Sequence, residues 1–160
     1  MKEQLDSYST REKNLWFELL VDLGVGLYYW PSAVRLMMAG DDALRGGPMA
    51  ALLLKTMMAA IFFGIALSVF LHKQEKPEPL DERDQMIKAR SSLIAERMLI
   101  GCLIAVIGLV VIQELPGPYT SHLVFLTLTP LVMAHLLLVS LMVWSFTSVI
   151  ARLYYYRRGY

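Results

Sequence analysis

The sequence predicts an all-α membrane protein: a four-transmembrane-helix bundle built from two hairpins, with a cytoplasmic helical extension of the third span. Three observations predict it. Hydrophobic residues make up 56% of the 160 and mean hydropathy is +0.49, an excess that marks lipid as the solvent when it is gathered into runs. The apolar residues do fall into runs of membrane-crossing length, at about 14–38, 48–72, 93–113 and 122–151. Finally, Lys and Arg are unevenly placed. Three lie in the N-terminal tail, five in the polar interlude 73–92 and three after residue 151, against Arg45 alone in the two short turns. Eleven against one puts both termini and the interlude in the cytoplasm of a multi-pass plasma-membrane or bacterial inner-membrane protein.

The remaining composition excludes several classes. The chain, 1–160, is short enough for a single integral membrane domain. A net charge of +1 gives no electrostatic case for nucleic acid. Cys102 is the sole cysteine, which excludes an internal disulfide and any cysteine-based metal cluster. The polar N-terminal tail lacks a small-residue cleavage site, so the first apolar run is expected to be retained and not removed as a signal peptide.

In order along the chain, Ser9 with Glu12 forms a capping-box pattern that starts the first helix before the membrane. Trp16 marks the near interface and Tyr28–Trp30 the far one, while Pro31 should kink the outer third. The breaker-rich turn Gly40–Pro48 makes the first two spans an antiparallel pair, and Glu114–Ser121 does the same for the last two. The final run ends in RLYYYRR, an aromatic belt with basic residues.

Five polar residues inside the spans are candidates for chemistry. Glu18 and Asp22 are four apart and share one helix face, which Gly26 and Ala33 extend with small side chains. Asp22 lies about 9 Å beyond Trp16 at 1.5 Å per residue. An ionised carboxylate there costs on the order of 2–3 kcal/mol unless it is paired or hydrated. Arg97 in the third span has a similar depth, so one reading is a structural Glu18/Asp22–Arg97 contact. A second is an ion- or proton-coupling site at Asp22, and a third is snorkelling to the interface. Lys55 sits in the outer half of the second span, about 13 Å from Asp22 along the membrane normal, too far for a direct ion pair. His135 lies near the middle of the fourth span, with His72 and His122 at opposite ends of theirs. The three histidines share no level, so one protomer cannot clasp a haem between two of them, and His135 is expected as a buried, hydrogen-bonded residue. Rows of small residues at Ala60–Gly64 and Gly101–Ala105–Gly108 would permit close helix crossings. No nucleophile–base set, phosphate loop or metal-ligand spacing is present, so neither an enzyme nor a cofactor is implied.

The interlude carries five basic and five acidic residues between Lys73 and Arg90. Asp81 suits a helix N-cap, Glu82 and Asp84 suit the first turn, and Asp84 with Lys88 is a favourable pair one turn apart. Arg83, Arg90 and Arg97 recur every seven residues, so one helical phase runs from the interlude into the third span. Such a helix, Asp81–Gln113, would be about 50 Å long and must project from the bilayer. Lys73–Leu80 is then a flexible connector, and Arg83, Asp84, Lys88 and Arg90 are candidates for docking a cytoplasmic protein. Mixed charge argues against simple attraction to anionic lipid.

The segment DERDQMIKARSSLIAERML resembles a juxtamembrane signature of small prokaryotic multi-span membrane proteins, with Asp81, Glu82, Arg83, Asp84, Ile87, Lys88, Ala89 and Ala95 matching. The resemblance implies a bacterial or archaeal cytoplasmic-membrane protein and carries no activity with it. Glu18 is also loosely similar to the first-span acid of small multidrug resistance transporters, which are four-span dimers. The expected function is therefore non-enzymatic: an accessory or regulatory membrane protein docking a partner through the interlude and span faces. The competing reading is a small dimeric proton-coupled transporter using Asp22 and Glu18. The bilayer, a second copy or another membrane protein, and a cytoplasmic protein at the interlude are the expected partners.

Overall fold

Helix-breaking chemistry divides the chain where the apolar runs end. The computed structural model describes residues 10–40, 42–43, 46–74, 81–114 and 128–158. Its main elements are four helices: α1 (Thr10–Met38), α2 (Gly47–Gln74), α3 (Glu82–Glu114) and α4 (Pro130–Arg158). Ser9 of the expected capping box, the connector 75–80 and most of the turn after Glu114 lie outside the described residues.

Each described boundary has a local cause. α1 closes with the Ala39 N–H donating to the carbonyls of Arg35 (3.0 Å) and Leu36 (3.2 Å). Gly40 then turns the chain at φ +102°, a conformation that a Cβ disfavours. Pro48 occupies the first turn of α2, where its missing N–H costs nothing. α3 opens as the sequence predicts: the Asp84 N–H donates to Asp81 Oδ1 across 2.7 Å. Without a breaker before Glu114 it continues as one 33-residue helix. α4 starts at Pro130, eight residues after the expected His122, because Thr129 caps it through the Val132 N–H (3.4 Å) and Pro130 suits the first helical position. It runs on to Arg158, past the expected end at Ala151, and α2 likewise takes in Lys73 and Gln74.

Among the described residues, three helices, α2, α3 and α4, are long and apolar enough to cross a membrane. α1 is not among them, so length and composition support three spans where four are expected. The cause is its composition: Glu18, Asp22 and Arg35, with Pro31 and three consecutive aromatics, dilute its apolar residues.

The helices follow the lateral order α2, α1, α4, α3, with α1 and α4 in the middle and α2 also touching α4. α1 packs on α2 through Tyr29 and Ala33 against Met49, Leu52 and Leu53, and Phe17 meets Phe70 edge-on at 6.0 Å near the other end. Leu15 packs with Val149 and Leu153 of α4. Near mid-height, a Cβ on Gly26 would lie 3.7 Å from Met142 and Phe146, so this glycine does mark a close helix approach. By contrast, among the described residues nothing lies within 4 Å of a Cβ at Gly64, Gly101 or Gly108, so these glycines mark no crossing between the described helices. α3 packs chiefly on α4, and Gln113 at its far end accepts the Leu128 N–H across 2.8 Å. The outward faces of α2 and α3 remain strongly apolar, with Phe62 68% and Ile104 63% exposed.

Candidate functional site

The lateral order decides which polar residues meet. α4, not α3, lies beside Glu18 and Asp22. The Ser145 hydroxyl donates to Asp22 Oδ2 across 2.7 Å, and Arg152 Nη1 lies 3.5 Å from Glu18 Oε2. Arg152 is itself steadied by Ser148, whose side chain accepts from Nη2 at 3.0 Å and whose carbonyl accepts from Nε at 3.4 Å. The expected partner, Arg97, is exposed on α3. Of these two cations only Arg152 stands on the helix that neighbours Glu18.

These groups line one groove of about 530 Å³ between α1, α2 and α4. Glu18, Asp22, Ser145, Ser148 and Arg152 form its polar end, with Leu67 and Trp144 beside them, and Met57, Ala60, Gly64 and Leu141 carry apolar walls onward. Thr56 is fully buried on the α2 side, its hydroxyl turned back to the Leu52 carbonyl at 2.8 Å. Lys55 does not join the groove. It is exposed and lines a separate recess with Gly24, Tyr28 and Phe63, in keeping with its expected distance from Asp22.

His135 is 6% exposed and its Nδ1 is hydrogen-bonded to the Tyr29 hydroxyl. The two rings also stack, with centroids 5.5 Å apart. Burial and a hydrogen bond were the expectation; the partner was not. His122 and the side chain of His72 lie outside the described residues. Among the described residues, no group of three or more His, Cys, Asp or Glu side chains is placed to hold a metal ion.

A second polar node lies where the first turns of α1 and α3 meet the last turn of α4. Asp84 is 7% exposed, and it is ion-paired with Arg11 while accepting from the Tyr156 hydroxyl across 2.7 Å. Arg83 Nη2 reaches the Tyr156 carbonyl at 3.5 Å. Alongside, Arg157 Nε lies 3.7 Å from Glu12 and its guanidinium covers the Trp16 ring at 5.3 Å. Of the four docking candidates, Asp84 is therefore committed inside the molecule and its expected pairing with Lys88 gives way to Arg11. Arg83, Lys88 and Arg90 remain exposed.

The residues that sequence reasoning missed are Arg152, Ser145, Tyr29, Tyr156 and Arg11. A signal did exist for two of them. Ser145, Ser148 and Arg152 follow at helical spacing on α4, a polar stripe matching the Glu18–Asp22 pair. A fourth span ending at Ala151 makes Arg152 a tail cation, whereas the helix runs on to Arg158 and carries Arg152 onto the groove.

A protein family described as "Predicted membrane protein (DUF2178)" matches residues 45–160, well over half of the chain. The chain belongs to the DUF2178 family. The match takes in α2, α3 and α4, and with them Ser145, Arg152, Asp84 and Tyr156, while Glu18 and Asp22 lie ahead of it. DUF2178 membership agrees with the resemblance to small multi-span membrane proteins; the likeness of Glu18 to the small multidrug resistance acid falls outside the matched span. The chain matches no curated protein and no solved structure.

Proposed function

We propose that this DUF2178 protein is a non-enzymatic membrane protein that works by binding a ligand in the groove between α1, α2 and α4. The observation that carries the reading is the gathering of Glu18, Asp22 and Arg152 on one groove in a bundle of apolar helices. Charged side chains cost about 2.5–3.5 kcal/mol each at the centre of a membrane helix, and they persist where they face a cavity, one another or a pathway. Asp22 and Glu18 are the ion- or proton-coupling residues of this reading, which is that of a small dimeric transporter. Reconstituted protein should then show pH-dependent ligand binding or uptake that Asp22→Asn abolishes. Normal pH-dependent uptake by that variant would discard the coupling role.

In this reading α1 is a fourth span and both termini face the cytoplasm. α1 has 29 residues, about 43 Å at the helical rise, enough to cross. Leu20, Leu23, Leu27 and Val34 are exposed on it, with Leu27 at 73%, a face suited to lipid. Four crossings also reconcile the three Lys/Arg-rich segments with one side of a cytoplasmic membrane, which three crossings cannot. Reporter fusions at residue 46 and at the two termini test this: residue 46 should report the opposite side from both ends.

The accessory reading keeps a separate support in Arg83, Lys88 and Arg90, exposed on the α3 extension. Their joint replacement by Gln should release a protein that co-purifies from native membranes. Retention of that protein by the triple variant would count against docking at this face.

A further inference from the structure

The groove has a polar end of mixed charge and a long apolar remainder. At the polar end, α1 contributes two carboxyl groups and α4 a guanidinium and two hydroxyls. A ligand that satisfied all of them would carry a cation and an anion a few atoms apart. The Arg152 guanidinium, a planar fork of N–H donors, suits phosphate oxygens. Glu18 and Asp22 only accept when ionised, and a primary ammonium offers three N–H donors to them, whereas a quaternary ammonium offers none. A headgroup with no cation would leave two carboxyl groups facing an anion.

The apolar remainder sets the rest of the ligand. Along α2 the groove lining runs from Leu67, level with the polar end, to Thr56, about 16 Å at the helical rise, which is about half of a 30 Å hydrocarbon core and so the depth of one leaflet. Ala60 and Gly64 keep the α2 wall low, and a Cβ at Gly64 would meet nothing within 4 Å. The polar end lies just below the interface marked by Trp16, about 3 Å away along α1 at Glu18 and about 9 Å away at Asp22. Charge, length and depth describe the same kind of molecule.

We propose that the groove takes a membrane phospholipid whose headgroup joins a phosphate to a primary ammonium, with the phosphate at Arg152, the ammonium at Glu18 and Asp22, and one acyl chain along α2. The inference rests on the groove being the binding site and names the class of ligand it binds.

Trp144 on the groove wall provides the readout. With Trp16→Phe and Trp30→Phe it becomes the only tryptophan, and lipids brominated on their acyl chains quench its fluorescence on contact. The protein is placed in phosphatidylcholine vesicles containing an equal minor fraction of brominated phosphatidylethanolamine, phosphatidylcholine or phosphatidylglycerol. Brominated phosphatidylethanolamine should quench about threefold more than either alternative, a preference typical of a few charge-assisted hydrogen bonds lost or kept. Glu18→Gln with Asp22→Asn should remove the preference, while Glu96→Gln, on the exposed side of α3, should leave it. Gly64→Leu should lower quenching by every lipid, because it fills the chain channel where there is space for a side chain. Equal quenching by the three lipids that still falls in Gly64→Leu would overturn the headgroup assignment and leave the groove as the binding site. Equal quenching that Gly64→Leu does not change would overturn both.

Discussion

Tyr156 donates its phenolic hydrogen to Asp84 Oδ1 across 2.7 Å, tying the last turn of α4 to the first turn of α3. The same carboxylate is ion-paired with Arg11 of α1, and the Asp84 N–H is capped by Asp81. One buried side chain near the N-terminus of α3, where the helix dipole favours negative charge, therefore joins three helices. α3 and α1 do not pack along their lengths, so this node is a main route by which α3 is held to α1.

Tyr156→Phe should lower stability by about 1.5–3 kcal/mol, the worth of one hydrogen bond to a charged acceptor. Asp84→Ala should cost more, about 3–5 kcal/mol, because it leaves the Arg11 guanidinium partly buried without its carboxylate. Thermal unfolding in detergent micelles reads both. The double variant should lose less than the sum, since the two residues share one contact.

The Tyr29–His135 pair predicts two different costs at one site. Tyr29→Phe keeps the ring and removes the hydroxyl that bonds His135, and interhelical hydrogen bonds of this kind contribute about 0.6–1.7 kcal/mol. Tyr29→Ala also empties a site with no solvent exposure and should cost about 3–5 kcal/mol. Denaturant titration of the folded helices in mixed micelles distinguishes the two steps.

Asp22→Asn should leave the fold nearly intact, within about 1 kcal/mol, because an amide oxygen still accepts from Ser145. Loss of pH-dependent uptake in a variant with unchanged unfolding would then report function and not misfolding. An equal loss of stability and uptake would remove that distinction and count against a coupling role.

The glycines make opposite predictions according to place. Gly40→Ala forces a Cβ into a left-handed conformation at φ +102°, and should destabilise by about 1–2 kcal/mol. Gly46→Ala would put a Cβ 2.7 Å from the Asp42 carbonyl oxygen, so the turn must shift. Gly101→Ala and Gly108→Ala meet no neighbour among the described residues, and should stabilise α3 by up to about 1 kcal/mol through helix propensity. Unfolding midpoints of the four variants check the order.

Much of this protein was determined by the sequence alone. The apolar runs and their breakers place the helices, because each helix answers mainly to its own hydropathy and its own caps. Asp81 capping α3, and one helical phase running from Glu82 into the apolar part of that helix, are local facts and were readable as such. The crowding of Glu18 and Asp22 on one face was equally local. What only the tertiary structure decided is the partner of each polar group. Arg97 and Arg152 offered the same charge, and the order α2, α1, α4, α3 gave Glu18 to Arg152 and left Arg97 exposed. That order also turned Asp84 from a surface charge into the buried tie of three helices. The physical reason is that hydropathy acts between a helix and lipid in the same way whichever helix stands beside it. Neighbours are chosen by side-chain shape and by polar pairs many residues apart, such as Tyr29 with His135 and Ser145 with Asp22.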